Sequence, residues 1–151
     1  MGLSLPSQFH LCEINHSYSI GFGYNKNYMN EKSVLIVEDD NDLRDAYVMI
    51  LNSENIDTHA AENGQAALDI ISKKGNPGVI FLDLRMPVMD GLSFLKEYKP
   101  KDHPETEVVV FSNYDAKNEI DAAYELGAEK YILKARAAPK ELIRIVRTIL
   151  S

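Results

Sequence analysis

The sequence predicts an α/β fold in which a parallel sheet of five strands is covered by helices on both faces, in three α/β/α layers. Two observations lead to this prediction. From Ser33 onward, short apolar runs alternate five times with stretches whose apolar residues recur at helical spacing. The runs VLIV, VIFL and VVVF are continuously apolar, which is typical of strands buried on both faces of a parallel sheet.

The predicted elements follow one another as strand–helix units. The strands are expected at 33–38, 56–61, 78–83, 106–112 and 130–134. The helices are expected at 39–54, 63–74, 91–98 and 115–127, and from 139 onward. No internal repeat is visible beyond this rhythm.

Local signals support the helices in turn. The first has one apolar stripe, formed by Leu43, Tyr47, Ile50 and Leu51. The second is opened by Asn63, a favourable cap, and its stripe is formed by Ala67, Leu68 and Ile71. Asp115 is expected to cap the fourth helix, and Gly127 to end it. Pro139 suits the first turn of the fifth helix, whose inward face is formed by Leu142, Ile145, Val146 and Ile149.

Composition limits the possible classes of protein. The chain has 151 residues, of which 45% are hydrophobic, so it is long enough for one domain with a substantial core. A formal net charge of -7 provides no basic field for nucleic acid or an anionic membrane, so a protein or a small ligand is the expected partner. The single cysteine, Cys12, excludes an internal disulfide, and neither a secretory signal nor a membrane span is recognisable. A cytoplasmic protein is expected.

The first 31 residues lack sustained periodicity and are interpreted as an N-terminal extension, residues 1–31, to a domain at 32–151. Two interpretations of the extension stay open. It is either an unstructured leader, with Met29 as a possible true start, or an aromatic-rich arm that docks on the domain or on a partner.

Polar residues are concentrated where the predicted strands end. Glu38 ends the first strand and is followed by Asp39 and Asp40, and Asp83, Ser112 and Lys134 end the third, fourth and fifth strands. Each alone has an ordinary structural explanation, such as a helix cap or a solvated loop residue. Together they predict a site, because the carboxyl ends of parallel strands meet at one edge of the sheet.

The residue types at this edge suit phosphoryl transfer. Carboxylates that lie close together repel unless a cation intervenes, and their oxygens are ligands that Mg²⁺ accepts. Lys134 adds a positive charge and Ser112 a hydroxyl donor. A cation, an ammonium and a hydroxyl around a free aspartate are what transfer of a phosphoryl group to that aspartate requires.

The segment from Ser33 to Leu150 resembles the receiver domain of two-component response regulators. The motifs VLIVEDD, FLDLRMPVMDG, VVVFS and YILK carry the resemblance. It implies a flavodoxin-like, doubly wound sheet with strand order 2-1-3-4-5 and five helices. It also implies that a histidine kinase or a phosphotransfer protein donates a phosphoryl group to the chain.

The resemblance assigns expected roles to individual residues. Asp83 corresponds to the phosphoacceptor, and Asp39 to the carboxylate that binds Mg²⁺ directly. Glu38 would act through a metal-bound water, and the backbone carbonyl of Arg85 would complete the protein ligands. Met86, Pro87 and the Asp90-Gly91 turn are expected to shape the loop that aims this carbonyl. The phosphoryl-contacting and switch residues would be Ser112, Lys134 and Tyr131.

Two departures from the family pattern are visible. Ala135 follows Lys134 where many receivers have a proline, so the Lys134-Ala135 bond is expected to be either trans, with an altered loop, or strained. Asn113 stands where the family usually has a small residue, and Tyr114 follows it. Bulk at these two positions is expected to restrict access to the acceptor and to prolong the phosphorylated state.

Three alternative functions share part of this pattern. A haloacid-dehalogenase-type phosphatase needs a second aspartate at the position of Arg85, and a flavodoxin needs a phosphate-binding loop where this chain has EDDND. A pseudo-receiver that only binds a partner is the stronger alternative, although a purely structural domain has no need to hold three carboxylates together.

The chain ends shortly after the fifth helix, which makes direct DNA binding an unexpected output. Either the protein is a stand-alone receiver that signals by docking on another protein, or the chain is a fragment of a longer one. The chain is expected to be a monomer or a weak, phosphorylation-dependent dimer. The expected docking face lies on the fourth helix, fifth strand and fifth helix and includes Tyr131, Arg136, Lys140 and Arg144. The alternative that these are ordinary solvated surface residues stays open.

Overall fold

The structure is a computed structural model that describes residues 32–151. The predictions made for the N-terminal extension, including those for Cys12 and Met29, lie outside the described residues. Among the described helices, none is long and apolar enough to cross a membrane.

Five strands alternate with five helices in the described part of the chain. The strands are β1 (Val34–Val37), β2 (Thr58–Ala61), β3 (Val79–Leu82), β4 (Glu107–Ser112) and β5 (Lys130–Leu133). The helices are α1 (Asn41–Ser53), α2 (Gly64–Lys74), α3 (Gly91–Tyr98), α4 (Lys117–Glu125) and α5 (Pro139–Leu150). Two short 3₁₀ turns, Pro100–Asp102 and Lys134–Arg136, precede β4 and α5.

The strands form one sheet in the order β2-β1-β3-β4-β5, and all the pairings are parallel. This confirms the predicted doubly wound, flavodoxin-like topology. In the register, Val37 of β1 pairs with both Ala61 of β2 and Leu82 of β3. The residues that follow Val37 and Leu82 therefore leave adjacent strands at the same level of the sheet.

The core consists of two layers, one on each face of the sheet. Alternate strand residues contribute to the two layers, because successive side chains of a strand point to opposite faces. On one face, Leu35, Ile80 and Leu82 pack with α2, α3 and α4. On the other face, Ile36 and Phe81 pack with α1 and α5. The central strands β1 and β3 are fully buried, as their continuous apolar sequences predict.

Most of the predicted helix signals are confirmed. Asn63 caps α2, since its side chain accepts a hydrogen bond from the backbone N–H of Ala66 at 2.9 Å. Pro139 is the first residue of α5, and Leu142 and Val146 lie on the buried face of that helix. Gly127, with φ +109°, follows the end of α4, where a left-handed conformation suits glycine.

The prediction that Asp115 caps α4 is wrong. The helix begins at Lys117, its cap position is occupied by Ala116, and no side chain caps it. Asp115 lies one residue too early in the chain to stand at the cap position. Strand ends also differ slightly from the prediction, because β3 ends at Leu82, so that Asp83 follows the strand. Lys134 likewise begins a 3₁₀ turn after β5.

Candidate functional site

Two buried carboxylates lie side by side at the carboxyl edge of the sheet. Glu38 follows β1 and Asp83 follows β3, and the N–H of Asp83 donates to the carbonyl of Val37 at 3.0 Å, which extends the pairing of the two strands. Glu38 is 3% exposed and Asp83 is 7% exposed. The adjacent Asp39 is exposed, and one carboxylate oxygen of each of these residues lies within 4.8 Å of the others.

Lys134 brings a cation to these carboxylates from the end of β5. Its Nζ lies 3.2 Å from Oδ2 of Asp83 and also donates to Oε2 of Glu38. The Lys134 side chain is only 7% exposed. Buried charges are tolerated when they are paired, so this ammonium stabilises two carboxylates that would otherwise repel each other.

The pKa values at the site are consistent with several carboxylates lying close together at the edge of the sheet. Burial raises the pKa of the Glu38 carboxyl, and hydrogen bonding and attraction to Lys134 oppose that shift. The pKa of Tyr47 on α1 is raised to about 12, first by burial and then by the charges of Glu38 and Asp83. The field of the carboxylates therefore extends to α1.

The three carboxylates fit a magnesium ion by the chemistry of their donor atoms. Glu38, Asp39 and Asp83 offer hard oxygen ligands within one small volume. Mg²⁺ binds through one or two such carboxylates and keeps several waters, which suits a cluster with one solvent-exposed member, Asp39.

The loop after Asp83 is held by backbone contacts. The N–H of Arg85 points to Oδ1 of Asp83 at 3.4 Å, and the N–H of Gly91 donates to the carbonyl of Leu84 at 2.9 Å. A Cβ at Gly91 would lie 2.4 Å from the carbonyl oxygen of Asp83, so close backbone approach explains this glycine. Val88, the only β-branched residue with positive φ (69°) among the described residues, lies in the same loop.

Ser112 and Tyr131 both contact the loop between β4 and α4. Ser112 ends β4 and is completely buried, and its Oγ accepts a hydrogen bond from the N–H of Tyr114 at 3.3 Å. The hydroxyl of Tyr131 donates to the carbonyl oxygen of Tyr114 at 2.7 Å. Asn113 and Tyr114 themselves are exposed. Tyr114 therefore lies between the two residues for which a switch role is expected.

Ala135 does not prevent Lys134 from reaching Asp83. The described residues contain no cis peptide bond, and Lys134–Arg136 forms a 3₁₀ turn. Of the two expectations for the Lys134-Ala135 bond, the structure therefore shows a trans peptide with a locally turned loop. On the expected docking face, Arg136, Lys140 and Arg144 are exposed, and Tyr131 is partly buried.

One set of contacts was not predicted from the sequence. The guanidinium of Arg85 pairs with Glu119 of α4 at 2.9 Å and lies 3.6 Å above the centre of the Tyr114 ring. Arg85 and Glu119 are 34 positions apart, and no local sequence signal connects them. The three residues meet because both loops leave the same edge of the sheet.

The sequence matches the family described as Response regulator receiver domain over residues 34–147. Among curated relatives, Sporulation initiation phosphotransferase F of Bacillus subtilis is 37% identical over 106 residues, which cover 70% of this chain and 83% of that protein. Transcriptional regulatory protein SrrA of Staphylococcus aureus is 31% identical over 117 residues. That match covers 78% of this chain and 47% of SrrA, so the chain spans about half the length of this relative.

Solved structures show the same fold. The receiver domain of NtrX from Brucella abortus is 32% identical, with a TM-score of 0.68, and the likeness covers 78% of this chain and 98% of that one. A CheY-like receiver domain protein from Methanospirillum hungatei is 24% identical, with a TM-score of 0.72, and the likeness covers 79% of this chain and 93% of that one. The chain therefore belongs to the response regulator receiver domains of two-component systems, a family of signalling phosphoacceptors.

Proposed function

We propose that this receiver domain accepts a phosphoryl group on Asp83 from a histidine kinase or a phosphotransfer protein. The observation that carries the proposal is the contact of one ammonium, that of Lys134, with both Glu38 and Asp83 at the edge of the sheet. A structural domain gains little from holding carboxylates together in a buried place, whereas phosphoryl transfer needs this arrangement.

In the proposed reaction, a carboxylate oxygen of Asp83 attacks the phosphorus of a phosphohistidine. The new phosphorus–oxygen bond forms while the phosphorus–nitrogen bond breaks, and the leaving imidazole takes up a proton. Lys134 would stabilise the charge on the phosphoryl oxygens, and the hydroxyl of Ser112 would donate to one of them. Ser112 is suitably placed because it ends β4, beside the strand that carries Asp83.

Glu38, Asp39, Asp83 and the backbone carbonyl of Arg85 are the groups that would hold Mg²⁺. When bound, the ion would neutralise charge that develops on the phosphoryl oxygens. The exposed Asp39 is the best candidate for the direct carboxylate ligand, because its side chain has solvent access and no burial restricts it.

The proposed output is a change in protein docking in the cytoplasm, where receiver domains typically act. Phosphorylation would shift an equilibrium between two conformations of Ser112, Tyr131 and α4. This shift would alter the face that includes Arg136, Lys140 and Arg144. We propose a downstream protein as the target, since the net charge of -7 does not favour nucleic acid. A monomer or a weak, phosphorylation-dependent dimer fits this role.

Intact-mass measurement after incubation with acetyl phosphate and Mg²⁺ tests the proposal. The wild type should gain the mass of one phosphoryl group, and Asp83→Asn and an EDTA-treated sample should gain none. Asp69→Asn is a matched control, because it makes the same change on the exposed face of α2 and should behave as the wild type. If the wild type gains no mass, the proposal is refuted and a pseudo-receiver takes its place. If Asp83→Asn gains as much mass as the wild type, Asp83 is refuted as the phosphoacceptor.

A further inference from the structure

Arg85 connects the loop that carries the candidate phosphoacceptor to two other segments. Its guanidinium donates to Oε1 of Glu119, in the first turn of α4, at 2.9 Å. The same group lies 3.6 Å above the ring of Tyr114, in the loop between β4 and α4. A cation over an aromatic face is an attractive contact. A single side chain therefore bridges three segments at the edge of the sheet.

Glu119 depends on this bridge for its charge partner. Its side chain is 22% exposed, and Arg85 is the cation that pairs with it. Within residues 32–151, its Oε2 is the one buried side-chain oxygen or nitrogen that lacks a hydrogen bond. A mostly buried carboxylate that loses its cation is destabilised, so removal of the Arg85 side chain should release Glu119 and the start of α4.

The start of α4 has little local support of its own. Ala116 occupies its cap position and provides no side-chain hydrogen bond to the free N–H groups of the first turn. The position of this helix end therefore rests on tertiary contacts such as the Arg85–Glu119 pair. Such an end can move when the contacts change.

Tyr114 connects Arg85 to Tyr131. The Tyr131 hydroxyl donates to the carbonyl oxygen of Tyr114 at 2.7 Å, while the Tyr114 ring lies under Arg85. A continuous series of contacts thus runs from the loop of Asp83, through Arg85 and Tyr114, to Tyr131. The side chain of Ser112 contacts the same series at Tyr114, whose N–H donates to Ser112 Oγ at 3.3 Å.

We propose that the Arg85 side chain is a latch that holds Tyr114, Glu119 and thereby Tyr131 in the unphosphorylated arrangement. A phosphoryl group on Asp83 would open the latch by attracting the guanidinium. This second step rests on the proposed function. Arg85 is thus a positioning residue, which acts on Tyr131 through Tyr114 and Glu119.

The charges and distances favour a competition in which a phosphoryl group on Asp83 draws the Arg85 guanidinium away from Glu119. The backbone nitrogen of Arg85 lies 3.4 Å from Oδ1 of Asp83, so a phosphoryl group there falls within the span of the Arg85 side chain. A phosphoryl group carries more negative charge than a carboxylate and can accept two parallel hydrogen bonds from a guanidinium. The Arg85 side chain is 53% exposed, and solvent weakens its pair with Glu119, so the latch can be opened.

NMR spectra of the full chain with ¹³C-labelled tyrosine test the latch without any phosphorylation. Tyr131→Phe identifies the Tyr131 ring signal. In Arg85→Ala, which keeps the backbone carbonyl, this signal should move several-fold further from its wild-type position than in the control Arg147→Ala. Arg147 is a suitable control because it is also an exposed arginine paired with a glutamate, and it does not line the cavity beside Tyr131. Glu119→Gln, which keeps the shape of the side chain, should shift the signal in the same direction.

A second arm adds acetyl phosphate and Mg²⁺ to the wild type. The Tyr131 signal should then move toward its position in unphosphorylated Arg85→Ala. If Arg85→Ala and Glu119→Gln leave the Tyr131 signal where Arg147→Ala leaves it, the latch is refuted, whatever the second arm shows. If intact mass shows no phosphoryl gain in the wild type, the proposed function fails, while the comparison of unphosphorylated variants still decides on the latch. Urea unfolding of each variant identifies any that has lost its fold, and Glu119→Gln then serves in place of Arg85→Ala.

Discussion

The ammonium of Lys134 lies 3.2 Å from Oδ2 of Asp83, although 51 positions separate the two residues in the sequence. Both side chains are less than a tenth exposed. The contact exists because β3 and β5 end at the same edge of the parallel sheet. In receiver domains, the family to which this chain belongs, the phosphoacceptor site is expected at this edge.

Lys134→Met should destabilise the protein, because it leaves the buried carboxylates of Glu38 and Asp83 without their cation. In EDTA, the free energy of unfolding should fall by about 3 kcal/mol. Mg²⁺ should restore part of this loss, since it also neutralises carboxylates. Urea denaturation with and without Mg²⁺ measures both effects. Lys117→Met is the control, because that side chain is 88% exposed and its pair with Asp121 contributes little. Equal losses in the two variants would contradict the prediction.

Asp39→Asn should weaken Mg²⁺ binding, since it removes the charge of the most accessible of the three carboxylates. The apparent dissociation constant should rise about tenfold or more. Isothermal titration calorimetry with Mg²⁺ measures it directly. Asp45→Asn makes the same change on the exposed surface of α1 and should leave the constant unaltered. An unchanged Mg²⁺ affinity in Asp39→Asn would exclude this residue as a ligand.

Val88→Asn should stabilise the protein. Val88 has a φ of 69° and is 83% exposed, so it combines a conformation that is unfavourable for a β-branched residue with little burial. Asparagine tolerates this conformation, and the free energy of unfolding should rise by about 1 kcal/mol. Val88→Thr keeps the branched Cβ and should give no comparable gain. Urea denaturation distinguishes the two, and equal gains would attribute the effect to polarity instead.

Tyr47 should make the protein less stable at alkaline pH. Its pKa is about 12 in the folded chain and 10.0 in the reference state, so the unfolded chain loses this proton first. The stabilisation is complete below pH 10 and is lost as the pH rises through about 12. After allowance for solvent at this half-buried ring, the loss should be roughly 1 kcal/mol. Tyr47→Phe should show a shallower decline of the unfolding free energy over this range, and parallel declines would contradict the assignment.

The phosphorylated state that we propose should be long-lived if Asn113 and Tyr114 restrict access to Asp83, as their size leads us to expect. After removal of acetyl phosphate, the decay of the phosphorylated mass gives the lifetime. Asn113→Ala should shorten it several-fold, and Asn118→Ala, on α4, should not. A wild-type half-life of seconds in Mg²⁺ buffer would contradict this prediction.

The fold was largely predictable because its signals are local. The apolar runs that became β1, β3 and β4, the cap at Asn63 and the first helical residue Pro139 can be recognised within a few residues of sequence. Asp115 was assigned wrongly because a cap depends on where the first helical residue lies, and α4 begins only at Lys117. Such boundaries depend on contacts that a short window of sequence does not contain.

The sequence by itself determined the five strand–helix units and the polar residues at the edge of the sheet, since a buried strand that ends on a polar residue is a local pattern. The strand order was implied by the resemblance to receiver domains. Only the tertiary structure decided which of these groups touch. It joined Lys134 to both Glu38 and Asp83, and Arg85 to Tyr114 and Glu119. The physical reason is that these pairs lie far apart in the chain and meet only where parallel strands and their loops converge.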